Sequence, residues 1–188
     1  VGAGLAYAVS DTSEFFEDEF YRALTDELKR LLKRRSISRL FDAQRRLTFN
    51  QIQEMACRNW LLSGDVFFVR RQQPNGTFSW RAIESDRVMS PYYMFSPDST
   101  ENGMSFYALI NPDTGNRIID GIELDDDASP VAYWVVKDYI DKPLLITPEQ
   151  IERIPSHDSD GLPVMIHLFK PTRPDQYRGV PLLANVIE

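Results

Sequence analysis

Two histidines, a single cysteine and a surplus of carboxylates define the chemistry open to this chain. Asp125-Asp126-Asp127 is its densest acidic run, Asp138 and Asp141 follow, and His167 stands in the apolar run Val164-Met165-Ile166-His167-Leu168-Phe169. Carboxylates and an imidazole converging from several elements could hold a divalent cation that activates water. A metal-dependent hydrolase or nuclease using Asp125, Asp127, Asp138 and His167 is therefore one reading. An EF-hand is not: counted from Asp125, Pro130 stands where that loop needs Gly and Val136 where it needs Glu. A solvated hairpin tip is the plainer account of the acidic run. His157, in Ser156-His157-Asp158, reads as an exposed loop residue, and His167 as a hydrogen-bonded strand histidine.

Other motifs fall short in similar ways. Ser, His and Asp are all present, but no Gly-x-Ser-x-Gly elbow exposes a nucleophile. Gly2-Ala3-Gly4 lacks the third glycine and the preceding strand of a dinucleotide loop and reads as a flexible end. Cys57, mid-helix among apolar neighbours, reads as buried and inert, and being alone it forms no disulfide framework. Asn75-Gly76-Thr77 spells a glycosylation acceptor, but without a secretory signal it reads as a turn. From the residues themselves, no catalytic, cofactor-binding or metal-binding side chain is assigned.

Elements that would position these residues follow from periodicity. Glu14 to Arg35 reads as a helix, with Ser13 as N-cap, acids in its first turns, and Phe16, Phe20, Leu24, Leu28 and Leu31 or Leu32 along one apolar face. The basic run Lys29 to Arg35 falls in its last turns, where cations complement the helix dipole; a patch for nucleic acid or a partner is the alternative reading. Thr48-Phe49-Asn50-Gln51 is a capping box that opens a second helix, with Ile52, Met55, Ala56 and Trp60 inward and Gly64 as its stop. The pattern then turns extended. Val66 to Arg71 and Phe78 to Ile83 form a hairpin about Pro74-Asn75-Gly76, and Ile118 to Leu124 pairs with Val131 to Asp138 across the acidic turn. Residues 85–116, punctuated by Pro and Gly, are the least regular, and their aromatics Tyr92 to Tyr107 suit either a core or a contact with a partner. Thr147-Pro148-Glu149-Gln150 opens a short helical turn, and Leu162 to Phe169 is a last strand. Arg178-Gly179-Val180-Pro181 then leads into the helix Leu182 to Ile187, with Gly179 supplying backbone angles that other residues avoid.

The fold class expected is α+β: N-terminal helices, antiparallel or mixed β-hairpins, and a strand leading into a C-terminal helix. One domain is expected over 1–188, mainly helical in 1–64, mainly β in 65–169, and loop with an interrupted helix in 170–188. Neither end reads as natural, so a longer polypeptide is expected. Net charge is −7 and 43% of residues are hydrophobic, which excludes a general phosphate-binding surface and supports a sizeable core. No apolar run approaches the ~20 residues of a membrane span.

Several stretches together resemble one family. Phe41-Asp42-Ala43, Leu47-Thr48-Phe49 and Trp60-Leu61-Leu62-Ser63-Gly64-Asp65-Val66-Phe67 are similar to the early helix-to-strand segment of lambda-like tailed-phage portal proteins. Ile119 to Asp125 with Pro130-Val131-Ala132-Tyr133-Trp134 resembles that family's Gly-Ile-Glu hairpin, and Val164 to Phe169 with Gln176 to Leu183 resembles its Ile-His and Arg-Gly-x-Pro-x-Leu segment. Val1 to Leu5 fits its glycine-containing entry, whereas Arg45-Arg46 stands where the family often has a Gly. The resemblance implies a structural, non-enzymatic part of the virion: most of the wing of a portal subunit, without cofactor or membrane. It implies a dodecameric ring at the capsid vertex, assembled in the bacterial host cytoplasm from a phage or prophage gene. Expected partners are terminase, scaffold or capsid and head-completion proteins, and double-stranded DNA passing through non-specifically. Besides the metal enzyme, the competing reading is a free-standing protein-binding module.

Overall fold

A computed structural model describes residues 19–91, 108–138 and 147–186. The chain divides into two compact units: unit 1 is Val1–Arg58 with Arg71–Arg81, and unit 2 is Asn59–Arg70 with Ala82–Glu188.

The described part of unit 1 opens with a helix. Helix α1, Glu19–Ile37, contains no Gly or Pro and carries Arg34 and Arg35 in its last turn. Its expected first turns and the Ser13 cap lie outside the described residues. The irregular segment after it is built on Asp42, a buried carboxylate that accepts hydrogen bonds from the amides of Gln44 (2.9 Å), Arg46 (2.9 Å) and Leu47 (3.0 Å). Helix α2, Phe49–Ser63, starts at the expected capping box, the Thr48 amide donating to Gln51 Oε1 (2.9 Å) and the Gln51 amide to Thr48 Oγ1 (3.4 Å). Of its inward residues Ile52 is buried, while Met55, Ala56 and Trp60 are half-buried. Cys57 is exposed, contrary to its reading as a core thiol. It lies five residues beyond Ile52, about 140° around the helix from the buried side.

Strands β1, Asp65–Gln72, and β2, Phe78–Ile83, join through the expected turn, where the Gln73 amide donates to the Thr77 carbonyl (2.7 Å). With β8, Met165–Phe169, they form an antiparallel sheet of order β2-β1-β8. In unit 2, β3 (Ala108–Ile110), β4 (Arg117–Ile119), β5 (Ile122–Leu124), β6 (Pro130–Val136) and β7 (Ile151–Pro155) form a sequential antiparallel sheet. Alternation along β6 assigns its two faces. Tyr133 and Val135 join a core with Phe67, Val69, Ile83, Ile122, Leu124, Ile154 and Met165, whereas Trp134 and Val136 pack with Leu109, Ile118 and Ile151. Each large aliphatic so buried contributes about 1.5–3 kcal/mol.

The observed class is the expected α+β, with all named strands antiparallel. Four details differ. Ile118 to Leu124 is not one strand: Asp120 and Gly121, at φ 48° and 83°, make a two-residue turn that pairs Ile119 with Ile122. A Cβ on Gly121 would also lie 2.6 Å from the Met89 amide nitrogen. Strand β7 went unrecognised because five residues ending in Pro155 offer little alternation. The last strand starts at Met165 rather than Leu162, because Asp158 Oδ1 holds the preceding residues in a turn through the amides of Asp160 (3.0 Å) and Leu162 (2.9 Å). After Pro181 the described chain is a 3-10 helix, Leu182–Val186, closed by the Ala184 amide on the Pro181 carbonyl at 3.1 Å. No described helix is long and apolar enough to cross a membrane.

Candidate functional site

Unit 2 holds two buried carboxylates, each at the centre of a polar hub. Asp65 opens β1 immediately after Gly64 and is 1% exposed. Arg178 reaches it from 113 residues away, donating from Nε to Asp65 Oδ2 at 2.6 Å. Its other N–H groups are taken too: Nη1 donates to the carbonyls of Val88 (2.7 Å) and Asp120 (2.9 Å), and Nη2 to the carbonyl and Oγ of Ser85 (both 2.7 Å). The planar fork of arginine suits this set of five donors, which one lysine ammonium could not replace. Ser85 Oγ and the Gly179 amide (3.1 Å) donate to the same carboxylate.

His167 completes the hub. It faces Phe67 across the β1–β8 ladder and lies stacked between the rings of Phe67 (4.1 Å) and Phe169 (4.3 Å). Its Nε2 is 3.3 Å from Asp65 Oδ2, and the Arg178 guanidinium sits 5.2 Å from the centre of the Phe67 ring. Burial alone would push Asp65 upward. The hydrogen bonds from His167 and Arg178, the Arg178 charge and Ser85 outweigh it and hold the carboxyl well below the usual range. Burial lowers His167, and the Asp65 contact does not fully reverse it, so the imidazole is neutral at pH 7 and donates from Nε2.

The backbone at this hub is equally close. A Cβ on Gly179 would overlap the Gly64 carbonyl, and one on Gly64 would come within 2.5 Å of the Gly179 carbonyl carbon. Gly179 has no left-handed φ, so its role is contact with Gly64 and not the unusual backbone angles expected of it.

Glu123, 0% exposed on β5, centres the second hub. Arg153 clamps both its oxygens, Nε to Oε2 at 2.7 Å and Nη2 to Oε1 at 2.9 Å. Asn111 (3.1 Å), Thr114 (3.0 Å), Asn116 (3.0 Å) and the Trp134 indole (3.2 Å) complete the shell. Burial pushes this carboxyl up, but Arg153 and then Asn116, Asn111 and Thr114 bring it down to about 2.

Of the residues proposed for metal chemistry, His167 belongs to the Asp65 hub. The Asp125 carboxylate caps its own hairpin through the amides of Asp127 (3.0 Å) and Ser129 (2.7 Å). Asp127 and Asp138 are exposed, and Asp141 lies outside the described residues, as do the aromatics Tyr92 to Tyr107. Among the described residues no three His, Cys, Asp or Glu side chains converge as a metal site would require. Glu123 and Asp65 escaped notice as hubs. Their signal was a charged residue at an inward strand position between apolar neighbours, Ile122-Glu123-Leu124 and Gly64-Asp65-Val66.

Both hubs use their polar groups to tie distant segments of unit 2 together, which is the work of a structural α+β domain. The profile of the phage portal proteins of the lambda family matches residues 1–188, and the chain belongs to that family. It is a structural family, whose members form a multimeric ring at the capsid vertex. No curated protein gives a significant match.

Proposed function

We propose that this chain is the wing portion of a portal subunit, acting as one domain within a dodecameric ring that serves as conduit for DNA packaging and ejection and as the head-tail attachment point. The observation that carries the reading is the family match along the whole chain. Terminase, scaffold or capsid and head-completion proteins are its partners, and DNA passes without sequence preference. The net charge of −7 supports passage over capture, since phosphate gripping needs clustered cations facing the duplex. Residues from Leu182 onward lead toward the channel-lining part of the subunit, and assembly takes place in the host cytoplasm.

The test is to express the full reading frame, measure its mass in solution, and image the same peak by negative stain. A large ring with an axial hole is expected. A small species at every salt and protein concentration would overturn the reading. A Mg²⁺-induced rise in melting temperature, abolished by Asp127→Asn, would then point to the metal enzyme.

A further inference from the structure

Charge is divided unevenly between the two units. Lys and Arg outnumber Asp and Glu by 12 to 9 in unit 1, whereas the acids lead by 19 to 9 in unit 2. The cations of unit 1 crowd the C-terminal half of α1, at Lys29, Arg30, Lys33, Arg34 and Arg35. Along the same helix Tyr21, Leu24, Leu28 and Leu31 follow at spacings of three, four and three, the pattern with which a helix presents a seam to a partner. All four are 39–47% exposed. Single exposed leucines are ordinary, but a contiguous row of this kind marks an interaction surface.

We propose that this row is where one subunit docks onto the acidic unit 2 of the next copy, an inference that rests on the ring reading above. A closed ring is built from heterologous contacts, in which two different patches on each subunit complement one another. A chain whose units carry opposite net charge already contains such a pair. Contact of unit 1 with unit 1, or of unit 2 with unit 2, would oppose like charges, whereas unit 1 on unit 2 is attractive and sets the direction around the ring. Unit 2 also offers apolar surface beside its acids: Leu162 and Leu168 are 50% and 46% exposed, and Asp160 two positions before Leu162 is exposed as well. DNA would be attracted to the cations of α1 but has no use for a row of leucines, so a protein partner accounts for both features.

The test uses the full-length polypeptide and two readouts. First, Leu24→Glu combined with Leu28→Glu should leave the circular-dichroism spectrum and melting temperature of the unassembled subunit as in wild type. It should raise the concentration needed for ring formation by at least about tenfold. Second, a photoreactive benzoylphenylalanine at position 28 is cross-linked in rings grown from equal amounts of ¹⁵N-labelled and unlabelled subunits. Mixed-isotope peptides from residues 59–70 or 82–188 are expected. Unchanged assembly of the double variant would overturn the proposal. So would cross-links confined to one copy, which would mean that the chain covers its own helix, or cross-links to unit 1 of the neighbour or to DNA. A wild-type protein that forms no ring would overturn the portal reading itself, while normal wild-type rings with any of the other results would overturn this interface alone.

Discussion

Arg178→Met tests whether the Asp65 hub holds unit 2 together. Methionine keeps much of the length and apolar stem of arginine but removes every donor. Asp65, 1% exposed, then keeps Ser85, His167 and the Gly179 amide but loses its cation, the Val88 carbonyl loses its guanidinium donor, and the Ser85 carbonyl keeps only the Val88 amide. Removing one partner of a buried ion pair costs about 3–5 kcal/mol, and each orphaned carbonyl about 1 kcal/mol. These overlap, because part of the pair's worth is the geometry that the carbonyls fix, so a loss of about 4 kcal/mol is expected. Arg178→Lys, which restores the charge without the fork, should lose about 2 kcal/mol. Adding Asp65→Asn to Arg178→Met should recover part of the loss, because the buried charge is gone. Urea unfolding followed by tryptophan fluorescence gives the loss for all three variants, with the m-value as a check on the two-state assumption. A loss below about 1 kcal/mol for Arg178→Met at unchanged m would refute the reasoning, since a surface ion pair would behave in that way.

Three further outcomes follow from the same geometry. Glu123 titrates near 2 in the folded chain against an ordinary 4.5, so its contribution, about 3 kcal/mol, is present above pH 4.5 and lost as pH falls toward 2; Glu123→Gln should flatten acid unfolding across that range. His167 is lowered by burial, so the unfolded chain binds the extra proton and stability falls as pH drops below about 6.5. His167→Gln should remove that slope in melting temperatures measured from pH 7 to 5. Gly179→Ala drives a Cβ into the Gly64 backbone and should cost 3 kcal/mol or more by roughly the scale of a backbone-level overpacking. Gly76→Ala, with open space but φ of 77°, should cost only about 1 kcal/mol, and chemical denaturation distinguishes the two.

What could be read from the sequence was what is encoded locally. The Thr48/Gln51 box, the Pro74-Asn75-Gly76 turn and β2 all rest on neighbours within a few residues, and the structure places them as expected. The Asp120-Gly121 turn was equally local, but it was hidden by the continuous apolar pattern on either side. Cys57 has apolar neighbours in the sequence, but its angle around α2 from the buried Ile52 turns it outward. The hubs were legible only in part: a carboxylate within an apolar run signals burial but not what satisfies it. Asp65 with Arg178, and Glu123 with Arg153, are pairs whose meaning depends on the sheet that brings them together, and nothing in either short segment names its partner. Gly179 was singled out correctly, but the cause was a neighbour 115 positions away in number and touching in space.

That separation bears on how the molecule is made. Strand β1 leaves the ribosome early, yet β8, which pairs with it, and Arg178, which neutralises its first residue, are synthesised about a hundred residues later. Until then Asp65 cannot be buried without a stranded charge, and the Phe67 edge of β1 stays open to unwanted pairing. Long-range closure of this kind is slow. A nascent subunit is thus held back from its final shape until residues 178–179 have been translated. The same contact that fastens the finished domain delays its completion until nearly all of the described chain exists.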